Sequence, residues 1–298
     1  MPTTQSLLVQ FSEALSALTA QARAFTAEVH ASSGETVSGV LWRPNAVVVS
    51  EQALPDGAEY EVRIGDQVTQ AELAGRDEGT NVAVLKLVRE IGQALPAAAA
   101  PELGALALLI GTGGDGLSAR LGIVRSVGGP WQSRAGGTID QRIIVDSFIS
   151  PREEGGPVLA ADGTLFGIST RGAGGQSLII PASTVNRVAG VLLEKGSVER
   201  GWLGLSLRPV ALPETLRPDQ EQHVGLMVMD VAAESPAAKA GLVPSDILLA
   251  AGGTPATRFG AITRKLGPDS IGKTVEFTLA RAGSILTSKA TIAARRPA

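Results

Sequence analysis

The chain of 298 residues has no cysteine, only two histidines (His30 and His223), and few aromatics at 3%. The first absence excludes disulfides, iron–sulfur clusters, thiolate zinc sites and cysteine nucleophiles. The second excludes any chemistry that needs several histidine ligands, and no metal or cofactor is expected. Basic residues are not in excess: the net charge is −3, so nucleic acid is not an expected partner, because phosphate neutralisation needs a basic face. No stretch approaches the ~20 apolar residues of a membrane-spanning helix. The start, MPTTQSLLVQFSEALS, has no Lys or Arg before Arg23, and Gln10, Ser12 and Glu13 interrupt its apolar run. It lacks the pattern of a secretion signal, and with Met1 as the native start the expected compartment is the cytoplasm.

What is present suits a globular protein of about two domains. Hydrophobic residues make up 44% and there are 36 glycines, enough for a sizeable core and many tight turns. Residues 4–26 carry Leu8, Phe11, Leu15, Leu18, Ala22 and Phe25 at heptad spacing, an amphipathic helix that either packs on its own domain or meets another copy. From Val29 to Ile180, short apolar runs alternate with turn signals such as Arg43-Pro44-Asn45 and Asp162-Gly163, the pattern of a sandwich or a pair of barrels. LPAAAAP (95–101) reads as a surface loop. A helix pattern over Ala182–Lys195, stopped by Gly196, leads to a linker at 196–200 and then to an α+β unit with short helices at 235–241 and 257–266.

Two phosphate-loop patterns fail on context. GPDSIGKT (267–274) should follow a strand and open a helix, but a helix-like ITRKL precedes it and the alternating VEFTLAR follows. GTGGDG (111–116) follows a strand, yet no crossover helix fits after it.

Three segments, taken together, resemble the trypsin-like proteases of the HtrA/DegP type: SGVLWRPNAVVVSEQAL (38–54), TNVAVLKL (80–87) and IIVDSFISPREEGGPVLAADGTLFGIST (143–170). Between them IGTGGDGLSARLGIVRSVGG (110–129) is similar to that family's Gly-rich loop. RGWLGLSLRPV (200–210), ESPAAKAGLVPSDILLAAGG (234–253) and GKTVEFTLARAG (272–283) look like the PDZ domain that follows the protease. The resemblance implies a mainly β fold: an N-terminal helix (1–27), a chymotrypsin/trypsin-like double β-barrel (28–195), a linker (196–200) and an α+β PDZ domain (201–298).

Where the resemblance places the catalytic triad, this chain carries Gln52 for His, Asn81 for Asp and Glu154 for Ser, with Arg152 at a glycine of the oxyanion loop. A serine protease needs a nucleophilic hydroxyl, a base and a carboxylate that orients the base, and these residue types supply none of the three roles. Arg152 also restricts a loop that glycine leaves free. From sequence the expectation is therefore a non-enzyme, a pseudoprotease acting as a binding scaffold. The alternatives are an HtrA-type serine endopeptidase with an atypical site, and a chaperone-like holder of unfolded chains.

PDZ domains bind C-terminal peptides by strand addition, with loop amides holding the carboxylate. The resemblance puts that loop at Gly201, Trp202, Leu203 and Gly204, running into Leu205, and the opposite groove wall at Phe259, Ile262 and Leu266. The same three side chains would equally pack a helix onto a sheet. Expected partners are peptides or protein C-termini, a homotrimeric assembly, and an active relative.

Overall fold

The computed structural model describes residues 6–92, 100–114, 116–133, 135–217 and 221–294, leaving most of 95–101 outside. The chain divides into two compact units, 1–198 and 199–298.

The first unit begins with α1 (Leu7–Ala22), capped by the Ser6 side chain. Its heptad seam is split. Ala22 and Phe25 are buried and Leu15 and Leu18 pack on the core, whereas Leu8 and Phe11 are exposed. Six strands then close into a barrel: β1 (Thr26–Ala31), β2 (Thr36–Arg43), β3 (Ala46–Ser50), β4 (Glu59–Ile64), β5 (Gln67–Asp77) and β6 (Val82–Leu87), in the order β1-β2-β3-β6-β5-β4. β3 reads AVVVS and is buried at every position, as β-branched residues favour where both faces pack.

A second closed barrel follows, built from β7 (Leu106–Gly113), β8 (Gly116–Gly128), β11 (Arg142–Val145), β12 (Pro157–Leu159), β13 (Leu165–Arg171) and β14 (Ser177–Pro181), in the order β11-β14-β13-β12-β7-β8. Between β8 and β11, β9 (Trp131–Gln132) pairs with β10 (Thr138–Ile139). The glycine-rich 111–116 segment is the β7–β8 hairpin, with no helix after it. α2 (Ala182–Lys195) buries Val185, Val188 and Leu192, and Gly196 ends it in the left-handed conformation at φ +75°.

The second unit is a sheet ordered β16-β17-β18-β20-β21, from β16 (Leu205–Ala211), β17 (Val224–Val231), β18 (Ile247–Ala251), β20 (Thr274–Arg281) and β21 (Ser284–Thr291). β19 (Thr254–Pro255) pairs with β18, and β15 (Gly201–Trp202) pairs with β22 (Ala293–Ala294). Its helices are α3 (Pro236–Lys239) and α4 (Gly260–Thr263), shorter than the expected 235–241 and 257–266. Gly241 at φ +72° follows the first, and Gly267-Pro268 closes off the second. The 267–274 segment leads into strand β20 rather than a helix, so it is no phosphate loop. Among the described residues, no helix is long and apolar enough to cross a membrane, and no cluster of three or more His, Asp or Glu could hold a metal.

Candidate functional site

The three triad-equivalent positions meet in one cluster between the barrels, with Glu154 buried, Asn81 partly buried and Gln52 exposed. Gln52 lies on a short 3-10 turn after β3, Asn81 immediately before β6, and Glu154 just before β12. The Gln52 backbone N–H donates to Asn81 Oδ1 at 2.8 Å, and the Gln52 side-chain amide donates to Glu154 Oε1. Asn81 adopts φ +57°, a conformation asparagine tolerates better than most residues, and its Nδ2 donates to Thr170 Oγ1 at 2.7 Å.

Glu154 is fully buried, and a buried carboxylate is tolerable only when thoroughly hydrogen-bonded. Its Oε1 accepts from Ser50 Oγ (3.0 Å), Thr170 Oγ1 (2.6 Å) and the Arg171 backbone N–H (3.1 Å), while its Oε2 accepts from Arg171 Nε (2.9 Å). Burial alone would push the Glu154 carboxyl up; the bonds from Thr170, Arg171 and Gln52 outweigh it and hold the group below the ordinary carboxylate range. On the adjacent turn burial instead wins: it raises the Glu51 carboxyl although Arg76 works the other way.

The loop before Glu154 is fastened separately. Pro151–Glu153 forms a 3-10 turn with a Ser150/Glu153 capping box. Glu153 accepts from the Ser150 N–H (2.6 Å), Ser118 Oγ (2.7 Å) and Arg120 Nε (2.9 Å). Burial would raise its carboxyl, but Arg120, the Ser150 amide and the Ser118 hydroxyl lower it to about 2. Arg152 is exposed and its carbonyl accepts from Ser38 Oγ at 2.6 Å. Arg152 fits here with negative φ because the turn is helical, so no glycine is required. Gly155 is different. It has φ +92°, and a Cβ there would strike the Ser38 carbonyl.

Sequence reasoning missed Ser50, Thr170 and Arg171. Ser50 and Thr170 lay inside segments already singled out and Arg171 is the next residue; the fold brings Ser50 from the end of β3, and Thr170 and Arg171 from the end of β13, onto the Glu154 carboxylate.

In the second unit, Gly201 and Trp202 form β15, and Leu203 is buried in the core. Gly204 adopts φ +76°, where a Cβ would meet Ser235. The carbonyls of Leu203 and Gly204 accept the N–H groups of Ala237 (3.0 Å) and Ala232 (2.9 Å), which orients the loop's peptide planes. Leu205 opens β16, which pairs with β17 on one side only. Of the expected groove wall, Phe259 is 47% exposed, while Ile262 is buried and Leu266 packs on the same core. Phe259 is thus the most exposed of the three, and Leu266 is partly buried.

Comparison with known proteins gives the class first. A trypsin-like peptidase domain matches residues 37–168 and a PDZ domain matches 201–292. A "Probable periplasmic serine endoprotease DegP-like" of Pseudomonas savastanoi is 32% identical over 260 residues, covering 83% of this chain and 53% of the relative. Its counterpart in Brucella suis is 29% identical over 267 residues, covering 86% and 52%. The chain thus spans about half the length of these relatives. The solved "HtrA-type protease AlgW with tripeptide" superposes with a TM-score of 0.74 at 25% identity, covering 95% of this chain and 98% of that one. The serine endoprotease from Yersinia pestis gives 0.75 at 22%, with 95% and 98% covered. The fold is that of a trypsin-like double barrel with an N-terminal helix and a PDZ domain. In sequence and in domain order the chain is similar to proteases of the HtrA/DegP type.

These comparisons correct two expectations. The expectation of a non-enzyme is overturned, because the relatives are named serine endoproteases; replacements at Gln52, Asn81 and Glu154 describe one constellation, not every chemistry the family fold could carry. The expectation of a cytoplasmic protein is overturned because the relatives are named periplasmic; it rested on an N-terminus that says nothing about the whole protein.

Proposed function

We propose that this chain handles polypeptides as an HtrA-type protein, capturing a peptide C-terminus through its PDZ domain. The carrying observation is the open edge of β16 beside the Gly201–Gly204 loop: among the described residues β16 pairs with β17 alone, and an unpaired strand edge beside oriented amides is what strand addition needs. The peptide-contacting groups in this reading are the Gly201–Leu205 backbone and the Phe259 ring. Titration with a fluorescent peptide bearing a free C-terminal carboxylate tests it. Saturable binding that is lost when the same peptide is C-terminally amidated supports it; equal binding of both forms refutes it.

The names of the relatives favour a second component, endopeptidase action at an atypical site in the barrel unit. The hydroxyls available there are Ser50 and Thr170, each donating to the Glu154 carboxylate, the pairing of nucleophile and acceptor that such chemistry requires. Both are buried, so substrate reaches them only when the cluster opens. Digestion of unfolded casein by the parent, Ser50→Ala, Thr170→Ala and Glu154→Ala separates the outcomes. Cleavage lost in one of the hydroxyl variants places the nucleophile. Cleavage equal in all four, or absent from the parent, removes this site from consideration.

The compartment in this proposal is the periplasm, by analogy with the relatives, and a cysteine-free chain is indifferent to its oxidising conditions. The assembly proposed is a homotrimer, with the exposed Leu7, Leu8 and Phe11 of α1 as its contact.

A further inference from the structure

The register of the open β16 edge is fixed at both ends of the strand. The Leu212 N–H donates to the His223 carbonyl at 2.8 Å, and the Ala232 N–H donates to the Gly204 carbonyl at 2.9 Å. Backbone groups along a strand alternate sides, so Val210 and Arg208 also turn their N–H and C=O toward β17. The bulge in this pairing leaves its extra residue, Met229, on β17, and the alternation along β16 is unbroken. Leu205 and Leu207 therefore turn their backbone groups to the open edge. Their side chains pack on the core, whereas Ser206 and Arg208 are exposed on the other face of the sheet.

A guest strand held by its terminal carboxylate at the Gly201–Gly204 loop would set its last residue opposite Leu205 and its third-from-last opposite Leu207. Its fourth-from-last then falls opposite Arg208. Directly opposed residues of antiparallel strands share a face, and side chains come closest in pairs that exchange no hydrogen bonds with each other. The Arg208 pairing is of that kind. The second-from-last residue falls beside Ser206, whose neighbour on the far side is the exposed Asp230.

Charge singles out Arg208. Among the described residues no carboxylate forms an ion pair with it. The Gly201 N–H donates to the Leu266 carbonyl at 2.9 Å, which sets the α4 segment beside the loop. Neither 205–213 nor 254–267 contains Asp or Glu, while Arg258 and Arg264 stand exposed before and after α4. Lys265 is occupied, donating to the Gly252 carbonyl at 3.3 Å.

We propose that this groove selects C-terminal tails carrying an acidic side chain at the fourth position from the end, paired with Arg208 across the added strand. The proposal rests on the reading that the PDZ domain captures a peptide C-terminus. Backbone bonds and the terminal carboxylate hold any tail; the cross-strand ion pair distinguishes one tail from another. A pair this exposed is modest in strength and screened by salt.

The test uses the full chain and N-terminally fluorescein-labelled octapeptides with free C-terminal carboxylates, read by anisotropy at low salt. The parent peptide is Gly-Ser-Gly-Ser-Glu-Val-Ser-Val, with Gln or Lys replacing its Glu in two others. A further peptide, Gly-Ser-Gly-Ser-Gln-Val-Glu-Val, moves the Glu to the second-from-last place. The Glu peptide should bind about threefold tighter than the Gln peptide and about tenfold tighter than the Lys peptide. The moved Glu should give no such gain. Arg208→Gln should bind the Glu and Gln peptides alike, and Arg208→Glu should invert the order in favour of Lys. Equal binding of the Glu and Gln peptides by the unmodified protein overturns the proposal, as does a preference that survives Arg208→Gln or an equal gain from the moved Glu. In each of those cases C-terminal capture still stands. If no free-carboxylate peptide binds saturably, capture itself fails and the proposal falls with it.

Discussion

Arg171 grips Glu154 twice, with its backbone N–H on one carboxylate oxygen and its side-chain Nε on the other. Because the carboxylate is buried while the guanidinium is half exposed, the two deletions are unequal. Arg171→Ala strands a buried charge and should cost about 2–3 kcal/mol, the low end for a broken buried pair because solvent screens the arginine. Glu154→Gln keeps the shape and removes the charge, and should cost about 1 kcal/mol. Urea midpoints at neutral pH compare them; an Arg171 variant as stable as the parent would show that Thr170, Ser50 and Gln52 suffice to hold the carboxylate.

Acid should unfasten the loop before β12. Glu153 has its folded-state carboxyl lowered to about 2 from an ordinary 4.5. A carboxyl depressed in the folded state stabilises the protein above its unfolded value, and that contribution disappears as pH falls through the folded value. Stability should therefore be flat above about pH 5.5 on this account and decline between about 4.5 and 2. Glu153→Gln should flatten that decline while lowering neutral-pH stability by on the order of 2 kcal/mol. Urea unfolding at a series of pH values decides it, and an unaltered acid slope in the variant would assign the decline elsewhere.

Gly155 is irreplaceable by a side chain. Its φ of +92° and the Ser38 carbonyl occupying the Cβ position act together, so Gly155→Ala should cost 3 kcal/mol or more, roughly the sum of a strained backbone and a displaced strand. Thermal unfolding would show a drop of several degrees. Gly114→Ala, where a Cβ would meet only the flexible end of Arg152 at 3.7 Å, serves as the control that should change little.

The outer half of α1 should govern assembly and not folding. Leu8→Ser with Phe11→Ser removes apolar surface already exposed in the single chain, so the unfolding transition of the dilute protein should stay put. Sedimentation equilibrium should show the parent at three times the chain mass and the variant at less. An identical mass for both would place the subunit contact on another surface.

The sequence made the barrels legible because their strands are short apolar runs between turn signals, and α2 because Gly196 stops a clean helical period. It over-extended the PDZ helices because their outer residues close tighter turns through bonds such as Gly241 N–H to the Ala238 carbonyl, Ile262 N–H to the Phe259 carbonyl and Leu266 N–H to the Thr263 carbonyl, which a helical period in the sequence does not distinguish from α-helix. At the candidate site, the resemblance picked out Gln52, Asn81 and Glu154, and the fold brings all three together. Arg171 escaped notice because its part depends on which way a strand edge faces, a relation that no local pattern of residues encodes. The same limit applies to Ile262 and Leu266, whose spacing suits both a groove wall and a core: Ile262 is buried in the core and Leu266 packs against it partly buried.

β16 carries one more instruction, in Pro209. Proline has no N–H, and in an edge strand the missing donor is accommodated on the unpaired side. In the proposed reading, a guest strand laid along β16 from the Gly204 turn can thus form ladder bonds as far as Leu207 and then finds a gap, because Arg208 turns its own N–H and C=O toward β17. On the proposed function the groove so built would work as a ruler, measuring a tail of a few residues from its carboxylate end and leaving whatever lies upstream unread.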